Sequence, residues 1–259
     1  MKVTPKKALG QHFLRNGAIA MNIAKGLTGH GAYSRVLEIG PGTGALTTCL
    51  KTAHPEMHVS AIEVDAESIA YLKMHRILPE DDIFFADFLR APLTELMGDK
   101  FAVIGNFPYN ISTQILFRVY DLRDHIPEVV GMFQKEVAMR IASGPGTKDY
   151  GILSVLLQLF YDIEYLFTVD AIEFEPPPKV QSGVIRLRRN NTVDPGCDIK
   201  LFKTIVKTAF NQRRKTMRNS LKAITPAGFE WPEELASKRP EQLGFQAFVT
   251  LTNLFSESH

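Results

Sequence analysis

The residues with the most distinctive chemistry are Asn106-Phe107-Pro108-Tyr109. The Asn106 amide oxygen, with the backbone carbonyl of Phe107 or Pro108, can accept hydrogen bonds from both N–H groups of an aromatic amine. Such an amine is a poor nucleophile because its lone pair is delocalised into the ring. Holding both N–H groups favours a more tetrahedral nitrogen and turns the lone pair towards an electrophile. Pro108 fixes its own φ and therefore the local carbonyl direction. Tyr109 offers an aromatic face against which an extruded base can stack. The alkylated nitrogen is an acidic ammonium that sheds its proton readily, so no strong general base is needed. Positioning and electrostatic preorganisation carry the catalysis. An ordinary strand-ending turn also uses Asn and Pro, so the reading depends on what surrounds the tetrapeptide.

The surroundings supply a nucleoside site. In Val36-Leu37-Glu38-Ile39-Gly40-Pro41-Gly42-Thr43-Gly44 a strand runs into a glycine turn with a helix starting near Ala45. Glycine lets the backbone approach a ligand and adopt positive φ. The next strand ends at Glu63, placed to accept both hydroxyls of a ribose. The third ends at Asp87, an acceptor for an adenine amino group, and the fourth at Asn106. Ligands of open α/β sheets bind at the carboxyl ends of the strands, so Gly40, Gly42, Glu63, Asp87 and Asn106 can converge on one adenosine-containing cofactor. Each acid taken singly serves equally as a helix cap. A nicotinamide cofactor competes for this reading, but the glycine spacing differs from Gly-x-Gly-x-x-Gly. The Glu-x-Gly-x-Gly-x-Gly arrangement resembles the first motif of class I methyltransferases.

The elements that must position these residues are short apolar runs read as strands: Arg35–Ile39, His58–Ile62, Ile83–Ala86, Phe101–Gly105 and Val129–Phe133. Helical patterns such as Ala45–Thr52 and Ala66–Arg76 separate them, which predicts βαβ units and a mostly parallel sheet. Tyr161–Val169 and Gly183–Arg188 read as strands near the end of that sheet. Between them Glu173–Lys179, with prolines at 176, 177 and 178, reads as a rigid surface loop. Asn190–Asp198 is a linker. Beyond it Ile199–Ala223, Pro232–Ser237 and Pro240–Phe255 read as helices, giving a catalytic domain over 1–189 and a small helical domain over 190–259.

Composition narrows the class. The chain has 259 residues, 45% hydrophobic and 22% charged, which suits a globular protein. Its net charge of +2 makes any polyanion-binding surface a local cluster. Cys49 and Cys197 have neither metal-ligand nor redox spacing, and no metal is expected. The basic stretch from Met1 to Lys7 is followed by no apolar run of signal length. The most apolar run, Gly151–Phe167, is interrupted by Gln158, Asp162 and Glu164. A cytoplasmic protein without a membrane span is expected.

The chain resembles the ribosomal RNA adenine dimethyltransferase family over essentially its whole length. The resemblance rests on Leu9-Gly10-Gln11-His12-Phe13-Leu14, the Glu38–Gly44 motif and Asn106-Phe107-Pro108-Tyr109-Asn110-Ile111-Ser112. It continues through Tyr150-Gly151-Ile152-Leu153-Ser154-Val155, Phe174–Ser182 and Phe210–Leu221. It implies an α/β fold of the class I S-adenosylmethionine-dependent (Rossmann-like) type with a small C-terminal helical domain. The implied reaction is dimethylation, by S-adenosylmethionine, of the exocyclic amino groups of adjacent adenines in small-subunit (16S) ribosomal RNA, late in subunit assembly. By position, His12 and Leu14 would line the cofactor pocket, His12 standing where many relatives have Asn. Phe13 and Phe174 would be aromatic walls near a flipped base, Phe174 opposite Tyr109. The resemblance also implies that the catalytic set is Asn106, Phe107, Pro108, Tyr109 and Phe174.

Lys200, Lys203, Lys207, Arg213, Arg214, Lys215, Arg218 and Lys222 fall in a stretch with no acid between Ile199 and Phe229. Clustered cations of this kind can neutralise phosphates, and Lys207, Arg213, Arg214, Lys215 and Arg218 are the RNA-binding candidates. Lys6, Lys7 and Arg15 are candidates to extend that patch, and a solvated helix face has the same composition. The small domain is expected to read ribosomal RNA structure in an assembly intermediate and to do no chemistry, in a monomeric protein. Three alternatives remain. One is a large-subunit adenine methyltransferase of the macrolide-resistance type. Another is a DNA adenine methyltransferase, although those typically carry Asp-Pro-Pro-Tyr or Asn-Pro-Pro-Tyr. The third is a non-enzymatic assembly factor.

Overall fold

The structure is a computed structural model and describes residues 3–258; Met1 and Lys2 of the basic N-terminus lie outside the described residues. The chain separates into two compact units. The first comprises Met1–Ala138 with Asp162–Arg189, and the second Met139–Tyr161 with Asn190–His259.

The first unit opens with β1 (Phe13–Leu14) and α1 (Gly17–Ala24), followed by β2 (Arg35–Ile39), α2 (Ala45–Ala53), β3 (His58–Glu63) and α3 (Ala66–Met74). Next come β4 (Ile83–Phe85), α4 (Leu93–Met97), β5 (Ala102–Asn106), α5 (Ser112–Asp121) and β6 (Glu128–Gln134). After α6 (Lys135–Ala142) and α7 (Ile152–Gln158) the sheet is completed by β7 (Tyr161–Val169) and β9 (Ser182–Arg189), with β8 (Phe174–Glu175) between them in sequence.

The main sheet has the order β4-β3-β2-β5-β6-β9-β7. Its β4, β3, β2, β5 and β6 pair in parallel, and β9 runs antiparallel to β6. The order reverses between β2 and β5, so the crevice at their carboxyl ends is the topological switch point where such folds bind ligands.

Alternation along the strands explains the core. Val36, Val59, Ala61, Ala102, Ile104, Val130, Met132 and Val184 form one cluster with Ala20, Ile23 and Ala24 of α1 and Leu46 and Leu50 of α2. The intervening Leu37, Ile62, Val103, Val129 and Phe133 are buried as well. Central parallel strands buried on both faces read as near-continuous apolar runs, which is why their spans are legible. Helices α1 and α3 start on side-chain caps: Asn16 Oδ1 accepts from Ala18 N at 3.0 Å, and Asp65 Oδ1 from Glu67 N at 3.2 Å.

Glu173–Lys179 is only partly a loop. Phe174–Glu175 pairs antiparallel with Phe13–Leu14 as a separate two-stranded ribbon, and the prolines follow it.

In the second unit α8 (Ile199–Asn211) is capped by Asp198 and buries Phe202, Ile205, Val206, Ala209 and Phe210, a 3.6-residue stripe. Helix α11 (Phe245–Glu257) buries Phe248, Leu251 and Phe255, and the Phe210 and Phe248 rings stack with centroids 6.0 Å apart. Tyr150 meets Phe210 edge-on at 6.1 Å, and Gly146 N donates to Glu241 O at 2.7 Å. These contacts explain why Met139–Tyr161 belongs with 190–259, a grouping of distant segments that sequence order does not reveal.

The expected helix Ile199–Ala223 is broken. It ends at Asn211, a turn follows, and α9 spans only Met217–Ser220. Met217 N donates to Lys238 O at 2.7 Å, so the chain leaves helical geometry to make a tertiary bond. Helix α10 spans Glu233–Ala236.

Candidate active site

The turn after β2 is built on glycines. Gly40, Gly42 and Gly44 have φ of +66°, +55° and +77°, values that carry a steric cost for any residue with a Cβ. A Cβ on Gly42 would lie 2.7 Å from the Phe13 ring, whereas at Gly40 it would meet nothing nearer than Pro108 Cδ at 4.0 Å. Gly42 is therefore closed by packing, and Gly40 leaves open room beside the sheet.

Glu63 ends β3, 5% exposed. Its Oε1 accepts from Val64 N at 2.8 Å and Asp65 N at 2.9 Å; its Oε2 accepts only a long bond of 3.4 Å from Gly42 N. Burial raises its pKa, and the backbone donors partly offset that. One oxygen is held by the backbone while the other keeps acceptor capacity. Asp87 is half-exposed; Oδ1 accepts from Leu89 N at 2.9 Å, and Oδ2 lies 3.8 Å from Arg90 Nε.

Glu38, the first residue of the Glu38–Gly44 motif, is a buried acid. Its Oε2 accepts from Thr47 Oγ1 at 2.6 Å, and burial pushes its pKa up to about 8, with Glu63 adding to the rise. The unfolded chain releases this proton near the ordinary glutamate value of 4.5, while the folded protein keeps it until about 8. Stability therefore falls as pH rises through that window. Glu38→Gln keeps an oxygen for Thr47 and has no proton to lose. Its denaturation midpoint relative to wild type is expected to rise steadily between pH 5 and pH 8. A difference independent of pH would contradict the buried, protonated Glu38.

At the end of β5, Asn106 Nδ2 donates to the His12 carbonyl at 2.7 Å. A carbonyl only accepts, so the amide nitrogen is fixed on His12 and Oδ1 remains the acceptor. His12 Nδ1 lies 2.7 Å from the Pro176 carbonyl and must carry a proton there for the same reason. The His12 and Tyr109 rings stack with centroids 5.5 Å apart. Tyr109 Oη bonds Ser182 Oγ at 2.6 Å, and burial raises the phenol pKa, so it stays neutral and its ring is the useful part. The Pro108 carbonyl closes a turn to Ile111 N at 3.2 Å. No such bond engages the Phe107 carbonyl among the described residues, which favours Phe107 over Pro108 as the backbone acceptor.

A cavity of about 230 Å³ joins these parts. It is lined by His12, Gly40, Gly42, Glu63, Asp87 and the segment Asn106–Tyr109, together with Gln11, Phe13 and Leu89. The four strand ends do converge.

Leu14 and Phe174 lie outside this cavity, and Phe107 borders it through its backbone. Leu14 is 8% exposed and borders an adjoining cleft of about 30 Å³ shared with Glu38, Gly40 and Asn106. The Phe107 ring is buried edge-on against Phe133 at 5.1 Å, over the glycines at 105 and 131, so only its backbone can face a ligand. Phe174 is 1% exposed, sits in the core cluster and does not line the cavity. The β1–β8 register sets Phe174 opposite Leu14 and turns both inward, while the outward pair is Phe13–Glu175. The Phe174 face expected opposite Tyr109 is thus covered, and the Phe13 ring lies on the glycine turn.

The profile of the family described as ribosomal RNA adenine dimethylase matches residues 3–250. The chain belongs to this family. Among relatives of the dimethylase, Ribosomal RNA small subunit methyltransferase A of Porphyromonas gingivalis is 57% identical, covering 99% of this chain and 100% of its own. The protein of the same name from Cytophaga hutchinsonii is 56% identical, with 98% of each chain covered. The solved dimethyladenosine transferase from Plasmodium falciparum has the same fold, with a TM-score of 0.78 at 23% identity over 95% of this chain and 98% of its own. The 23S rRNA methyltransferase ErmE scores 0.61 at 26% identity over 94% and 99%.

The second unit of the dimethylase carries the basic segment, where acids distant in sequence intervene. Arg213 donates to the Lys148 carbonyl at 2.8 Å and lies 3.9 Å from Glu241; Arg218 lies 3.7 Å from Glu233. Lys215 donates to Gln212 Oε1 at 2.8 Å. Arg214 and Lys207 are exposed. Arg213, Arg214 and Lys215 sit in the turn between α8 and α9, off any helix. In the first unit Lys6 pairs with Asp65 and Glu67, and Arg15 with Glu175, so neither is a free addition to a basic patch. Among the described residues no group of three or more His, Cys, Asp and Glu is arranged to hold a metal, and no helix is long and apolar enough to cross a membrane.

Proposed function

We propose that this dimethylase family member transfers methyl groups from S-adenosylmethionine to the exocyclic amino groups of adjacent adenines in small-subunit (16S) ribosomal RNA, late in subunit assembly. The observation that carries the reading is Asn106, whose amide nitrogen is committed to the His12 carbonyl and whose oxygen is left to accept at the wall of the strand-end cavity.

The residues present fit the cofactor. The Gly40 turn leaves room, Glu63 keeps an oxygen for the ribose hydroxyls, and Asp87 has acceptor capacity for the adenine amino group. When bound, the cofactor supplies an electrophilic methyl group on sulfonium. Asn106 Oδ1 and the Phe107 carbonyl accept the two N–H groups of the target amine and orient its lone pair. Tyr109, with one ring face on His12, offers the other to the flipped base. After the first transfer the amine keeps one hydrogen, and Asn106 and Phe107 hold it again with one bond fewer.

Small-subunit RNA is favoured over large-subunit RNA because the relatives at 56% and 57% identity are named for the small subunit, whereas the 23S enzyme stands at 26%. The protein works as a cytoplasmic monomer on an assembly intermediate, with the helical unit binding RNA.

Substrate choice is tested by labelled methyl transfer to undermethylated small subunits, large subunits and duplex DNA. Label in small-subunit RNA alone is expected. Label in large-subunit RNA would move the protein to the resistance type and overturn the assignment.

Within the basic segment Arg214→Ala is expected to weaken RNA binding at every sequence and lower the salt slope by about 1. Arg213→Ala should also reduce stability, because it releases the Lys148 carbonyl. Equal salt slopes for wild type and Arg214→Ala would remove Arg214 from the interface.

A further inference from the structure

The segment before β1 lies along the cavity and is tied down far from its own position in sequence. Leu9, Gly10, Gln11, His12 and Phe13 all line the cavity. The segment is a small preformed body. Leu9 N and Gln11 N donate to the Lys6 carbonyl at 3.0 and 3.4 Å, and Lys6 N donates to Gln11 Oε1 at 2.9 Å. Its N-terminal side is fastened to Asp65. The Lys6 ammonium and Gln11 Nε2, the latter at 3.2 Å, both donate to the Asp65 carboxylate, and Lys6 also lies 3.4 Å from Glu67.

Asp65 is built to receive them. Its side chain has no exposed surface, and it also accepts from Glu67 N at 3.2 Å and Ser68 Oγ at 3.0 Å. Burial alone would raise its pKa; the donors Lys6, Gln11, Ser68 and Glu67 outweigh burial and hold it below the ordinary value, so it remains an anion. The same residue gives its N–H to Glu63 Oε1 at 2.9 Å. One turn of chain therefore links the acid expected to hold the ribose to the group that fastens the segment beside it.

We propose that Lys6 and Asp65 are positioning residues that latch the Leu9–Phe13 segment over the cofactor cavity and set how fast the bound nucleoside leaves. The proposal rests on the cofactor reading above. Neither residue lines the cavity, so the latch acts through the segment it restrains. Lys6 is 43% exposed in its side chain, so added salt screens its end of the pair.

The test uses full-length wild type, Lys6→Met and Lys6→Arg. Lys6→Met leaves the Asp65 cap and the cavity wall intact. Two readouts are taken: amide hydrogen exchange across Leu9–Phe13 without ligand, and the dissociation rate of S-adenosylhomocysteine. Lys6→Met is expected to raise both on the order of 10-fold, the effect of losing one charge-assisted hydrogen bond. Exchange in β2 and β5 should stay unchanged. Lys6→Arg should return both towards wild type, and high salt should bring wild type towards Lys6→Met. Equal exchange across Leu9–Phe13 in all three proteins overturns the latch, whatever the cavity binds. Wild type that exchanges as expected yet binds no S-adenosylhomocysteine would overturn the cofactor reading and the proposed control of release, leaving only a structural strap.

Discussion

Asn106→Ala is expected to slow methyl transfer by on the order of 10²–10³-fold, the usual cost of removing one preorganised group aimed at the reacting centre. The substitution deletes the acceptor for one amine N–H and also frees the His12 carbonyl from its 2.7 Å bond. Asn106→Asp separates these effects. It keeps an acceptor for the amine but sets a carboxylate oxygen against the His12 carbonyl, so it too should lose most of the rate. Single-turnover transfer on undermethylated small subunits measures both variants. An Asp variant within a few-fold of wild type would mean that the amide orientation is immaterial. Asn106→Ala also addresses any role in assembly apart from catalysis. Binding of immature subunits at wild-type affinity would separate binding from chemistry, and loss of binding would remove the support for a separate checkpoint.

Glu63→Ala is the second large effect, and it falls on cofactor affinity. Two hydroxyl donors on a buried carboxylate contribute roughly 1.5–3 kcal/mol each, so dissociation constants should rise on the order of 10²-fold or more. The alanine also strands the Val64 and Asp65 N–H groups that Glu63 Oε1 now satisfies, which adds a stability cost. Glu63→Gln should lose less, because the amide retains one oxygen. Calorimetric titration with S-adenosylhomocysteine decides the point. Equal affinity in wild type and Glu63→Ala would remove Glu63 from the cofactor site.

The parts of this molecule that were legible in its sequence are those whose constraint is local. Arg35–Ile39 and Tyr161–Val169 are strands with the expected bounds: the first is mostly apolar and buried along almost its whole length, and the second is an edge strand that keeps Asp162, Glu164 and Thr168 exposed between apolar residues. Gly40, Glu63, Asp87 and Asn106 were legible as a set because each ends a strand or comes just after one. The inward orientation of Phe174 was not legible, because it depends on a two-residue register with Phe13–Leu14, about 160 positions away, which no local pattern encodes. Arg213 and Arg218 looked unpaired because Glu241 and Glu233 approach them only after folding. Met139–Tyr161 read as part of the first domain because the Tyr150–Phe210 contact spans two segments separated by three strands. The Lys6–Asp65 pair is of the same kind: an ordinary basic N-terminus and an ordinary helix cap acquire meaning only when they meet.

The Asn106–Tyr109 site is expected to deliver methyl groups to the exocyclic nitrogen of adenine. Nucleoside mass spectrometry of small-subunit RNA after incubation with the protein and labelled S-adenosylmethionine tests it most directly. Labelled N6,N6-dimethyladenine with wild type and none with Asn106→Ala is the predicted result. Label on a ring nitrogen, a ribose or another base would contradict the account.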